Sequence, residues 1–128
     1  MSFTHSVGVI YRTNAGQITN TTDTFTGSGE ANVDELFAAA PTDVLVNVAV
    51  DVSALKSFVF WSDKACTVKT NSSGAPDNTI SLTAGVQLVW NISHTEANPL
   101  TVDVTKFYVT SASTNVTLKF RALMDATP

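Results

Sequence analysis

Valine occupies every second position from Val44 to Val52, at Val44, Val46, Val48, Val50 and Val52, with Leu45, Asn47, Ala49 and Asp51 between them. A period of two places those valines on one face of a β-strand. β-Branched side chains are stiff about χ1 and pack well on a pleated surface. Full burial of one valine is worth roughly 1.5–3 kcal/mol. Five together would contribute on the order of 10 kcal/mol, an upper bound because the unfolded chain is itself partly compact. The pattern predicts a strand over 43–52 whose valine face packs into a sheet core.

The rest of the chain repeats that theme in short pieces. Residues 5–12 alternate Val7, Val9 and Tyr11 on one face. The Thr13-Asn14-Ala15-Gly16 turn and the Thr-rich stretch 17–26 complete an N-terminal hairpin over about 5–26. Gly27-Ser28-Gly29 interrupts the pattern as a flexible turn. Residues 31–40 are ambiguous. Asn32 and Glu35 have capping-box spacing and Leu36 to Ala40 favours helix until Pro41, so either one helical turn or a bulged strand fits. After the valine strand, Ser53-Ala54-Leu55 makes a corner. Residues 56–61 put Phe58 and Phe60 on one face, and Val59 and Trp61 on the other. Residues 66–70 return through a Ser62–Ala65 hairpin turn. The stretch 71–78 is a loop rich in Asn, Ser, Gly, Pro and Asp. Strands follow over 79–83 and 86–92, with a tight turn at Ala84-Gly85, then a loop over 93–99. A last pair, 101–109 and 116–123, is expected to be joined through 110–115.

About nine or ten short strands with at most one short helical turn predict an all-β fold. The expected architecture is an antiparallel β-sandwich, jelly-roll or Ig-like, in a single domain over 1–128 with its main body over about 43–123. One internal echo stands out. Val50-Asp51-Val52-Ser53 and Val102-Asp103-Val104-Thr105 each lead into an aromatic strand, a turn and a further strand. The echo reads equally as a pseudo-repeat or as convergence among β-sequences.

Composition narrows the function. Charged residues make up only 14% of the 128 residues, against ~25% in ordinary soluble domains. Thr, Ser and Asn take their place, which suits a polar surface that meets protein, because charges are costly to desolvate. It equally suits a plain Thr-rich β-domain. The net charge is −4 and the seven basic residues are scattered, so no nucleic-acid partner is expected. No stretch approaches the ~20 apolar residues of a membrane span. The N-terminus lacks the basic and apolar regions of a signal peptide, and the single cysteine excludes an internal disulfide. Synthesis in a reducing cytoplasm is therefore expected. The N-x-[S/T] matches at Asn20, Asn71, Asn91 and Asn115 are by-products of composition.

No constellation points to catalysis, so no enzyme is expected, and no catalytic, cofactor-binding or metal residues are assigned. His94 and His5 are far apart in sequence, with no metal-ligand spacing around them. Cys66 with His94 could pair a nucleophile with a base, but Cys66 opens an apolar strand and reads as a small hydrophobe. Asp51, Asp63, Asp77 and Asp103 stand singly near corners, where they are expected to brace turns rather than pair for glycoside hydrolysis. Phe58, Phe60, Trp61 and Trp90 are expected in the core, with a sugar- or base-stacking platform as the functional alternative.

Two segments, VDVSALKSFVFWSDKACTVKTNSSGAPDNTISLTAGVQLVW and DVTKFYVTSASTNVTLKFRALMDATP, carry a likeness that runs from Val48 to Pro128, about two thirds of the chain. This part resembles small structural proteins encoded in tailed-bacteriophage genomes, above all in KSFVFWSDKA, KTNSSGAPDNTISLTAG and the terminal RALMDATP. The resemblance implies a virion component made in the host bacterial cytoplasm. The implied role is a capsid decoration (cement) protein, or a head or tail accessory protein. It also implies docking on the major capsid protein or other virion proteins, as a homo-oligomer, with no catalytic residues to carry over. A tail-associated or carbohydrate/receptor-binding β-sandwich module is the alternative expectation.

Overall fold

The computed structural model describes residues 2–93 and 96–125. Ten strands and one 3-10 turn make up the described chain. β1 (Phe3–Thr13) and β2 (Gly16–Gly27) form a separate two-stranded arm. The body is two four-stranded antiparallel sheets packed face to face. The first has the order β3-β10-β5-β8, from β3 (Gly29–Phe37), β5 (Leu55–Ser62), β8 (Leu88–Asn91) and β10 (Val116–Met124). The second has the order β4-β9-β6-β7, from β4 (Val44–Val50), β6 (Cys66–Thr70), β7 (Thr79–Leu82) and β9 (Val104–Thr110). The result is a β-sandwich, as the strand pattern predicts.

From β3 onward the chain changes sheet at every connection except β6 to β7. That corrects the expected local hairpins: β5 and β6 lie in opposite sheets, as do β9 and β10. The turn between β5 and β6 is held instead by β10. The Asp63 carboxylate accepts the Thr117 N–H at 2.7 Å, and the Asp63 N–H reaches the Thr117 carbonyl at 3.2 Å. The Thr117 hydrogen bond is the main reason the Asp63 carboxyl titrates below its ordinary value; burial opposes it and the Lys64 ammonium assists. A lowered folded-state value contributes stability above the ordinary carboxylate range, and that contribution is lost as pH falls through the lowered value. Asp63→Asn is therefore expected to remove part of the acid-side fall in stability, read from denaturation midpoints between neutral and strongly acidic pH. An unchanged profile would count against the brace.

The sequence echo has a spatial counterpart. β5 pairs with β10, and β9, the aromatic strand of the second unit, pairs with β6. The two aromatic-strand units thus interlock reciprocally, one strand of each in either sheet. Their leading corners adjoin: Val50 pairs with Val104, and the Asp103 carboxylate accepts the Val52 N–H at 2.9 Å.

Phe58, Phe60 and Phe120 from the first sheet meet Phe107 from the second at the centre of the core. Ring centroids lie 4.4 Å apart for Phe60–Phe120, 5.3 Å for Phe60–Phe107 and 5.2 Å for Phe107–Phe120. Val68, Val109 and Leu118 pack in the same cluster with no exposed surface.

Two expectations fail in instructive ways. Residues 31–40 hold no helical turn. β3 pairs with β10 without interruption from Gly29 to Phe37, so the bulge is absent too. Ala31 and Val33 are buried against the core, and this tertiary pairing outweighs a helix propensity of a few tenths of a kcal/mol per residue. The valine strand is not one uniform inner face. β4 lies at a sheet edge, and its register slips by one residue between Asn47 and Val50. Val46 and Val50 are buried, Val48 and Val52 are half-buried, and Val44 is 38% exposed.

Candidate functional site

The arm lies against the outer face of the first sheet, and the junction between them is concave. β2 runs into β3 through Ser28, whose N–H donates to the Met124 carbonyl at 2.9 Å. His5 of β1 contacts the Glu30 carboxylate of β3. Beneath the arm base Ser57 and Leu123 are buried, although both belong to the outward-facing rows of β5 and β10. An outward serine and leucine at 2% and 0% exposure mark the footprint of the arm.

Gly27 makes that footprint possible. A Cβ there would lie 2.4 Å from the Met124 carbonyl oxygen and 3.0 Å from the Leu123 side chain. The first contact is with backbone, so no rotamer relieves it. Gly27→Ala is expected to cost about 1–3 kcal/mol and to speed amide exchange in the flanking parts of β1 and β2. Gly74→Ala, with nothing near its Cβ, is the control and should stay within about 0.5 kcal/mol of wild type. Equal stability of the two variants would show that the arm base is not seated as described.

Beside the arm runs a groove of 540 Å³ between His5–Gly8 of β1 and a wall that includes Val59, Gln87, Val89 and Arg121. A second hollow of 330 Å³ shares Val59, Gln87 and Arg121 and continues to Trp61 and Lys119. The strands explain this lining. Val59, Trp61, Val89, Lys119 and Arg121 occupy the positions that point away from Phe58, Phe60 and Phe120. Arg121 is anchored by the Asp34 carboxylate at 2.6 Å and by the Val33 and Phe120 carbonyls at 3.1 and 2.9 Å. The Lys119 ammonium lies 6.0 Å from the centroid of the Trp61 ring, the separation of a weak cation–π contact. The surface therefore offers an apolar floor, an amide and two oriented cations. Such a lining can hold an extended chain, and His5, Ser6 and Ser57 also border it.

The residues singled out in the sequence are dispersed. Trp61 lies on this outer face. Trp90 instead packs on Phe58 with centroids 6.0 Å apart and planes at 26°, and its indole N–H donates to the Glu96 carbonyl at 3.2 Å. Phe58 and Phe60 are core. Cys66 is buried, and burial pushes its thiol up from its ordinary value, with Asp63 adding to the rise and a Ser62 hydrogen bond opposing it. His94 lies outside the described residues. Each of the four aspartates braces backbone or loop. Asp51 accepts the Ser53 N–H and hydroxyl at 3.0 and 2.6 Å. Asp63 holds Thr117, Asp103 holds Val52, and Asp77 accepts the Asn71 side-chain amide at 2.7 Å. Among the described residues no three His, Cys, Asp or Glu side chains are grouped to hold a metal ion.

Sequence reasoning missed the arm junction. Gly27 reads as a turn glycine, and only the β10 backbone reveals its packing role. Ser57 and Leu123 give no warning either, since their outward register predicts exposure. No family model, curated protein or solved structure matches the chain.

Proposed function

We propose that this chain is a structural component of a tailed-bacteriophage virion, a capsid decoration protein that binds the assembled head and stabilises it. The resemblance of 48–128 to small phage structural proteins motivates the reading. The observation that carries it furthest is the arm: strands of 11 and 12 residues, longer than any in the sandwich, forming a two-stranded sheet with two edges. Strand edges offer main-chain donors and acceptors to a neighbouring protein, and a Thr-rich, sparsely charged ribbon meets protein at low desolvation cost. The work is mechanical: a rigid sandwich adds buried interface to a lattice of major capsid protein and performs no catalysis. Mass spectrometry of purified particles of the encoding phage tests the reading. The expected result is this chain in stable proportion to the major capsid protein, with cryo-EM density on the head. Particles without the chain would end the proposal, and density on the tail would move it to a tail-accessory role.

Trp61 favours a second reading, in which the outer face binds carbohydrate. Its ring borders a hollow with Gln87, Lys119 and Arg121, residue types that hydrogen-bond sugar hydroxyls while an aromatic face covers the ring. A glycan array separates the readings: binding that vanishes in a folded Trp61→Ala variant supports it, and a blank array with wild type removes it.

A further inference from the structure

The outer face of the first sheet carries a local positive charge on an acidic chain. The chain has seven basic residues and a net charge of −4. Lys119 and Arg121 both line the hollow beside Trp61, and no aspartate or glutamate shares its wall or that of the adjoining groove. Strand register puts them there. Lys119 pairs with Trp61 of β5 on one side and with Asp34 of β3 on the other, and Arg121 follows two residues later on the same face. Asp34 gives its carboxylate to Arg121, so the three side chains together keep one positive charge. Lys119 is exposed and forms no ion pair among the described residues. The bonds of Arg121 to Val33, Phe120 and Asp34 engage at most three of its five N–H groups, and its side chain is 40% exposed.

We propose that this hollow binds an acidic saccharide, with Trp61 against the apolar face of a sugar ring and Lys119 and Arg121 on a sugar carboxylate. The inference rests on the carbohydrate reading of this face and names the class of sugar. Charge complementarity selects that class. A neutral sugar leaves the Lys119 charge unused, whereas a carboxylate gains charge-assisted hydrogen bonds from both cations. The two cations divide the work. Arg121 is anchored and sets the direction of approach. Lys119 is held only by a weak contact with the Trp61 ring and has a flexible stem, so its ammonium can leave the ring for the carboxylate while the sugar takes the ring. The hollow of 330 Å³ lies at the small end of the ~300–1,000 Å³ of ligand sites, and the groove beneath the arm accommodates further sugar units. Single-stranded nucleic acid also combines rings with cations, but one net positive charge beside one tryptophan gives little hold on a run of phosphates.

A glycan array with neutral and carboxylated members tests the proposal, followed by calorimetric titration of the full chain with two matched pairs. The pairs are hexagalacturonate against its methyl ester, and sialyllactose against lactose. Wild type is expected to prefer the carboxylated member of at least one pair by about tenfold or more, and the preferred pair identifies a uronate or a sialate as the source. Lys119→Gln should erase most of that preference while keeping the wild-type circular dichroism and melting transition. Asp34→Asn should tighten binding of the acid, because it releases Arg121 from its carboxylate; a merely structural role for Asp34 would weaken it. Added salt should weaken binding of the acid alone. Neutral sugars bound as tightly as acidic ones, and lost in a folded Trp61→Ala variant, overturn this inference and leave the carbohydrate reading standing. A blank array removes both. A carboxylate preference absent from both pairs overturns the inference, as does acid binding unchanged in Lys119→Gln or not tightened in Asp34→Asn. Tighter binding of a dT oligonucleotide than of either acidic sugar overturns it as well.

Discussion

Replacing Phe60 by alanine is expected to remove about 3–5 kcal/mol of folding stability. Phe60 has no exposed surface and lies against three other rings, those of Phe58 at 5.8 Å, Phe107 at 5.3 Å and Phe120 at 4.4 Å between centroids. Truncation takes away the burial of the ring and leaves a cavity between two sheets, whose hydrogen-bonded strands limit how far the walls can collapse. Edge-to-face and tilted ring pairs add roughly 0.5–1.5 kcal/mol beyond burial. Small domains are stable by only about 5–15 kcal/mol, so the variant should unfold at a much lower urea midpoint with little change in slope. Leu36→Ala, at a side chain 66% exposed, should move the midpoint by less than about 0.5 kcal/mol equivalent. A Phe60→Ala loss below about 1.5 kcal/mol would mean that the four rings do not form the central contact between the sheets.

That contact was partly legible. Alternation over 56–61 correctly separates Phe58 and Phe60 from Val59 and Trp61, because a strand central to a sheet obeys the period of two strictly. β6 emerges at the expected residues, 66–70, for the same reason. The valine run misleads because an edge strand with a register slip obeys the period only in part: alternation reports which side chains share a face, not whether that face is covered. Residues 31–40 mislead because their helical features are local, while β10, some ninety residues away, supplies the competing partner. Pairing partners were the least legible. Short turns at 62–65 and 110–115 suit hairpins equally well, and only the packing of two apolar faces sends the chain across to the opposite sheet. The arm groove lay beyond sequence reading, because it exists where β1 happens to cover outward positions of β5 and β10.

Asn71 is where the loop over 71–78 is tied to the body, and Asn71→Ala is expected to cost about 2–4 kcal/mol. The residue sits at φ +67°, a conformation that asparagine tolerates and alanine resists. Its side-chain amide donates to the Asp77 carboxylate at 2.7 Å and to the Asp103 carbonyl at 2.8 Å, and its side-chain oxygen accepts the Thr105 N–H at 2.9 Å. One side chain thus closes its own loop and clamps the strand entry of β9. Alanine loses both the backbone tolerance and the three bonds; Asn71→Gly loses only the bonds and should fall short of the alanine loss by about 1 kcal/mol. Asn71→Asp keeps the acceptor for Thr105 but sets a second carboxylate against Asp77, so its penalty should shrink as pH falls through the carboxylate range and either group gains a proton. Chemical denaturation of the three variants at neutral and acid pH reads all of these effects. Equal stability of the alanine and glycine variants would remove backbone strain from the account. An aspartate penalty independent of pH would remove the contact with Asp77, leaving the clamp on β9 as the sole function of the side chain.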